Sequence, residues 1–187
     1  MEKIMSTATR KLYFTRHGQT IWNAENKICG VTDIALTQLG HQQAVETGQK
    51  IKAAGYAIDE ILHSPLIRAA ETARHISEET GIPMRMETRL KEQNFGRFES
   101  TARTGEEFQK EKRCFINHFG NGESMLQMAQ RIYNLLDDIK NDPDEKVYLL
   151  VAHNGIARIV QSYFYDMGNE EFASFGIDNC ALLEFDL

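Results

Sequence analysis

Short apolar runs alternate with longer amphipathic stretches along this chain. Leu12, Tyr13 and Phe14 form an apolar run ending at Thr15, which predicts a buried strand feeding a loop at Gly18. Residues 36–54 read as a helix with Thr37 as its N-cap. Gly40, Ala44 and Gly48 within it weaken intrinsic helicity but permit close packing. Residues 58–63 predict a second strand. Ser64-Pro65 then reads as an N-cap with proline at the first helical position, which puts Arg68 in the first turn of the next helix. A short strand is expected over 83–87. Ser124 and Gln127 have capping-box spacing, and Met125, Met128, Ile132, Leu135, Leu136 and Ile139 recur on one face of the helix they open. Asn141-Asp142-Pro143-Asp144 ends that helix. Residues 147–152 are continuously apolar, the pattern of a parallel strand covered on both faces. Ile156, Ile159, Val160, Tyr163 and Phe164 mark another helix, and 181–186 a last strand.

Strands alternating with helices predict an α/β fold, a three-layer α/β/α sandwich around a mostly parallel sheet. Its ligand crevice is expected at the C-terminal ends of the strands. Residues 91–121 are polar, without clean periodicity before Glu106, and read as a short lid insertion. No repeat, low-complexity tract or Ser/Gly-rich linker interrupts the chain, so 1–187 is expected to be one domain.

Charge narrows the partners. Twenty-one basic and twenty-seven acidic residues give a net charge of -6 with no block of like charges, which argues against nucleic acid. An anionic small molecule would bind only where several Arg and His residues converge against the overall field. Cys29, Cys114 and Cys180 include no Cys-x-x-Cys pair, so buried reduced thiols are expected rather than disulfides or a structural zinc site. Residues 1–10 are polar and no stretch approaches a membrane span, so the expectation is a cytoplasmic protein with no membrane partner.

Arg16-His17-Gly18 follows one predicted strand and His153-Asn154-Gly155 another, which places both histidines on the same sheet edge. Arg68 at a helix N-terminus, with Arg16, offers guanidinium forks suited to a phosphate. Taken singly, each residue has a plainer reading. A lone histidine is more often a surface or core residue, both arginines could pair with surface carboxylates, and Glu92 sits in the polar run Lys91-Glu92-Gln93 as a solvated acid would. His41, His63, His75 and His118 read as structural or surface residues, and Met84, Met86, Met125 and Met128 as packing. Phe95, Phe98, Phe108, Phe115 and Phe119 could touch an apolar part of a substrate, form a small secondary core, or serve a homodimer contact. His17 and His153 have no third histidine or carboxylate at ligand spacing, so neither a metal nor another cofactor is expected.

Together these motifs resemble the histidine phosphatase superfamily, also called phosphoglycerate mutase-like, branch one. Phe14 to Thr20 with Trp22-Asn23 is similar to its opening signature. Leu36-Thr37, Gly40, Gln43-Ala44 and Gly48 resemble its first helix. His63-Ser64-Pro65-Leu66, Arg68-Ala69 and Glu71-Thr72-Ala73 resemble the segment with its second phosphate-binding arginine. Leu90, Glu92, Gly96 and Glu99, then Gly122-Glu123-Ser124, then Val151-Ala152-His153 follow in order, covering nearly the whole chain. The resemblance implies that His17 is phosphorylated, that Arg16, Asn23, Arg68 and His153 hold the phosphoryl oxygens, and that Glu92 is the proton donor. It implies metal-independent hydrolysis of a small phosphomonoester. Its alternatives are a phosphoglycerate mutase that returns the phosphoryl group to bound glycerate, and a catalytically silent phospho-ligand binding protein. The mutases generally carry a longer insertion after the glutamate motif, and the shorter lid here favours water as acceptor. Two positions depart from the family pattern. Asn154 stands where a glycine is usual, in a turn expected to need a left-handed backbone that asparagine tolerates, and Ser100 stands where glycine closes the glutamate motif.

Overall fold

The computed structural model describes residues 9–187; residues 1–8 of the polar N-terminal stretch lie outside the described residues. Five strands, β1 (Lys11–Arg16), β2 (Glu60–His63), β3 (Met84–Met86), β4 (Tyr148–Ala152) and β5 (Leu182–Asp186), form one sheet in the order β3-β2-β4-β1-β5. The first four are mutually parallel, and β5 runs antiparallel beside β1. This is the mostly parallel α/β sandwich expected from the sequence. Every residue of central β4 is buried, which is why its run is apolar without alternation.

The helices are α1 (Ile21–Ala24), α2 (Gln38–Ala54), α3 (Ile67–Thr80), α4 (Glu106–Glu111), α5 (Met125–Lys140), α6 (Asn154–Phe164) and α7 (Asn169–Ser174). Alternate strand residues face opposite layers. Leu12, Phe14, Leu62 and Leu150 join α5 and α6 in one core, while Tyr13, Ile61, Leu149 and Val151 join α2 and α3 in the other. Thr37 caps α2 by accepting from Gly40 N at 3.0 Å, and Ser124 with Gln127 completes the capping box of α5.

Helix α3 begins differently from the expectation. Its N-cap is Leu66, without a side-chain cap of its own, and Asp33 from a distant loop accepts from Ile67 N at 2.7 Å. Ser64 lies outside the helix, and Arg68 keeps its place in the first turn. The short helices α1, α4 and α7 were not foreseen, since six residues or fewer carry too little periodicity to read. Cys114, expected to be buried, is exposed in the turn after α4, while Cys29 and Cys180 are half-buried.

Within residues 91–121, Phe95, Phe98, Phe108 and Phe119 pack edge to face or tilted around Ile28 as a satellite core, with ring centroids such as Phe98–Phe108 at 5.4 Å. Phe115 instead packs on Phe172 beside the α5–α6 layer. The segment is tied to the loop after α1 by Glu99. Its carboxylate accepts from Gly30 N at 3.1 Å, Val31 N at 3.0 Å, Phe95 N at 3.2 Å and Thr32 Oγ1 at 2.7 Å. No helix among the described residues is long and apolar enough to cross a membrane.

Ser100 has a φ of +68°, so the departure from glycine puts a Cβ into left-handed backbone. That conformation costs roughly 1–2 kcal/mol for an L-residue, and glycine's greater unfolded freedom returns about 0.5–1 kcal/mol of any gain. Ser100→Gly is expected to raise stability by about 0.5–1 kcal/mol, read as a higher urea midpoint at unchanged slope.

Candidate active site

Strand register assembles the site. Arg16 of β1 lies opposite Ala152 of β4, and His63 of β2 opposite Val151. The residues that follow, His17, His153 and Ser64, therefore leave the sheet together at its C-terminal edge. His17 donates its backbone N–H to Ala152 O at 2.9 Å and receives Asn179 Nδ2 on its own carbonyl at 2.8 Å. Its ring Nδ1 lies 2.7 Å from Gly18 O. A carbonyl only accepts, so Nδ1 carries the proton and Nε2 keeps its lone pair. Gly18 permits this tight loop: a Cβ there would overlap the Gly40 carbonyl of α2, which presses backbone against backbone.

The His153 ring centroid lies 5.2 Å from that of His17. Ser64 Oγ accepts from Leu66 N at 3.3 Å and lies 2.7 Å from His153 Nε2. The other ring nitrogen, Nδ1, is buried with no hydrogen-bond partner among the described residues. Burial, first, and the nearby Arg68 guanidinium, second, hold both histidines well below the ordinary imidazole range; Arg16 adds to the effect. Both rings are neutral at neutral pH.

Arg68 is fully buried. Its Nη1 donates to Thr32 O at 2.9 Å and its Nη2 to Gly30 O at 2.6 Å, and its Nε is unpartnered among the described residues. Arg16 donates from Nη1 to Ile177 O at 2.6 Å and likewise keeps a free buried Nε; burial lowers its pKa to about 10. Neither arginine meets a carboxylate at ion-pair distance among the described residues. Asn23 uses its side-chain oxygen in the α1 capping box and toward Asn179, so its amide nitrogen is the atom available to the cleft.

Glu92 is 5% exposed, which removes the reading of a solvated surface acid. Its Oε1 accepts from Gln93 N at 2.8 Å and its Oε2 from Gly155 N at 3.0 Å. A Cβ at Gly155 would overlap this carboxylate, so a larger residue there would shift the acid from its seat on the start of α6. Asn154 needs no left-handed turn, contrary to the expectation. It is the first helical residue of α6, and its Oδ1 accepts from Ile177 N at 2.9 Å, fixing the loop whose Ile177 carbonyl holds Arg16.

A cleft opens onto Arg16, His17, Asn23 and Glu92, with Arg103, Lys112 and Arg158 also on its wall. Arg68 and His153 are not on that wall; both are 0% exposed. Among the described residues, the one grouping of metal-type ligands within mutual reach is His41, Glu71 and His75, which includes neither His17 nor His153. Sequence reasoning missed the orienting role of Ser64, although it directly follows β2, and the contribution of Asn179. It also missed three cleft cations. Arg158 left a signal, a charge among the apolar positions Ile156, Ile159 and Val160 of α6, whereas Arg103 and Lys112 lie where no periodicity assigns a direction.

Two buried neutral histidines couple stability to pH. Their native pKa values lie below the unfolded value of about 6.5, so the unfolded chain takes up more protons beneath it and stability falls with pH by up to about 1.4 kcal/mol per unit for each ring. Urea unfolding is expected to show stability held above pH 6.5 and lost as pH falls below it. Replacing His17 and His153 by Ala should flatten that slope, and an unchanged slope would place the titration elsewhere.

A family model described as the histidine phosphatase superfamily (branch 1) matches residues 12–187. A probable phosphoglycerate mutase, GpmB, of Erwinia tasmaniensis is 30% identical over 183 residues, covering 94% of this chain and 84% of that protein. A phosphoserine phosphatase of Entamoeba histolytica, solved as a histidine-to-alanine mutant with phosphoserine, superposes with a TM-score of 0.79 at 28% identity, covering 94% of this chain and 89% of that one. A mycobacterial glucosyl-3-phosphoglycerate phosphatase shares the fold, with a TM-score of 0.81 at 23% identity over 95% of this chain and 90% of that one.

Proposed function

Because the chain belongs to the histidine phosphatase superfamily, branch 1, we propose that it is a metal-independent phosphatase acting on small phosphomonoesters through a phosphohistidine on His17. The observation that carries the reading is the Nδ1 contact to Gly18 O, which leaves the Nε2 lone pair of a neutral ring at the cleft. In the first step Nε2 attacks phosphorus in line, the N–P bond forms, and the ester P–O bond breaks toward a leaving alkoxide. Glu92, which lines the same cleft, gives that oxygen a proton. In the second step the Glu92 carboxylate takes a proton from water, the water oxygen bonds to phosphorus, the N–P bond breaks, and inorganic phosphate leaves. Arg16 and Asn23 Nδ2 on the cleft wall are the donors left over by the internal hydrogen bonds to hold the equatorial oxygens, and Arg68 and His153, buried near His17, complete the phosphate-binding set in this reading. In this reading residues 91–121 are the lid that carries the acid.

Hydrolysis is favoured by the similarity to a phosphoserine phosphatase, and phosphoryl return to an acceptor by the similarity to a probable phosphoglycerate mutase. Phosphate release from a panel of phosphomonoesters in EDTA separates these readings. Wild type is expected to release phosphate and His17→Ala to lose all turnover. Isomerisation of 3-phosphoglycerate, primed with the bisphosphate, well above phosphate release would make the protein a mutase.

Glu92→Gln tests the acid. Alkyl esters, whose poor leaving groups need a proton, should slow about 10²-fold or more, while nitrophenyl phosphate slows far less; equal slowing of both would remove Glu92 from that role.

A further inference from the structure

Outside the cleft, three metal-type ligands meet on the α2–α3 layer. Glu71 and His75 lie four residues apart on α3, which sets both side chains on one face of that helix, a turn apart. His41, in the first turn of α2, reaches them from the neighbouring helix. Gly48 allows the approach: a Cβ there would come 2.8 Å from Glu79 Cβ of α3, so the helices lie closer than a larger residue would permit. One nitrogen from each histidine and one oxygen of Glu71 fall within 4.8 Å of one another, and all three residues are half-buried. None of the three lines the active-site cleft.

His41 Nδ1 lies 2.9 Å from His75 Nε2. Two N–H groups at that distance would collide and two lone pairs would repel, so the facing nitrogens share one proton. Burial, first, and then Arg74 and His41 hold His75 below the ordinary imidazole range, which keeps its ring neutral and able to ligate. Around a tetrahedral zinc ion with Zn–N bonds of about 2.0–2.1 Å, two ligand nitrogens stand about 3.3 Å apart. The pair therefore opens only slightly when a metal ion replaces the shared proton, which moves to the outer nitrogen of the ring that carried it. Glu78 Oε2, 3.7 Å from His75 Nδ1, puts a carboxylate on the outer side of that ring. Arg74 is the competing cation. Its Nε and Nη2 donate to Glu71 Oε2 at 3.3 and 2.8 Å, while Glu71 Oε1 accepts no hydrogen bond among the described residues and is the oxygen left for a metal.

We propose that His41, Glu71 and His75 form a binding site for a divalent transition metal of the zinc class, separate from the catalytic cleft, that clips α2 to α3. Two imidazoles and a carboxylate suit Zn²⁺, Co²⁺ or Ni²⁺ rather than Mg²⁺ or Ca²⁺, which take oxygen shells. The clip stands behind the His17 loop. Gly40, beside His41, packs on the backbone of Gly18 and Gln19, and Thr72, beside Glu71, accepts from Gly18 N at 3.0 Å. A bound ion braces that loop and takes no part in phosphoryl transfer, so the site is independent of the phosphatase reading.

Zinc titration of the metal-stripped protein, read by competition with a chromogenic chelator, tests the site. One equivalent is expected to bind. His41→Ala, His75→Ala and Glu71→Gln should each weaken it about tenfold or more, no less than the loss of an outer-shell partner costs. His17→Ala and His118→Ala should leave zinc binding unchanged, and Arg74→Gln, which removes the competing cation, should tighten it. In thermal melts zinc should raise the Tm of wild type but not of His75→Ala. X-ray absorption at the zinc edge of wild type decides without any variant: two histidine nitrogens with oxygen ligands are expected, and a sulfur ligand or a single histidine would overturn the site. No bound equivalent, or one that the three substitutions leave unchanged, would overturn it equally.

Discussion

Strand β4 is hydrogen-bonded on both sides, to β1 and to β2, in registers that end one residue apart. A slip of one residue in either pairing would turn every side chain of that strand to the opposite layer, and the two cores oppose such a slip because Leu149 and Leu150 belong to different ones. Packing chosen for apolar area thus also decides that His17, Ser64 and His153 leave the sheet side by side. The serine then orients one ring and the Gly18 carbonyl the other, so the chemical polarity of the site follows from backbone pairing deeper in the fold.

The second constraint is electrostatic. Arg68 is fully buried without a carboxylate, yet two loop carbonyls receive its Nη groups, and those carbonyls are placed by the loop that Glu99 grips through its backbone amides. Partial negative charge on carbonyl oxygens satisfies the guanidinium without cancelling its full charge. The same device serves Arg16 through Ile177 O. Positive potential is thereby kept at the site in a protein that is acidic as a whole, and it is felt by the histidines as a preference for their neutral form.

The layers of the fold were legible because long periodic stretches carry redundant information. The β4 run and the α5 face each announce themselves through six or so apolar positions. Residues 17 and 153 were legible as a pair because each follows such a strand. What stayed hidden was set by contacts between distant segments. The cap of α3 comes from Asp33, which no local rule connects to Ile67. Asn154 works through its side chain on Ile177 rather than through its backbone, and the burial of Glu92 depends on the absence of a Cβ at Gly155. The cleft cations on residues 91–121 were unreadable because that segment packs as its own small aromatic core around Ile28, which is distant in sequence.

The seat of Glu92 on the first amide of α6 divides the 91–121 segment into two parts of unequal freedom. Its beginning is indexed to the sheet through Gly155, while Arg103 and Lys112 lie further along, between the phenylalanines of the satellite core. Residues 103 and 112 thus reach the cleft from a stretch of chain that does not hold the acid, so a lineage or an engineer has two positions on the cleft wall outside the seat of Glu92.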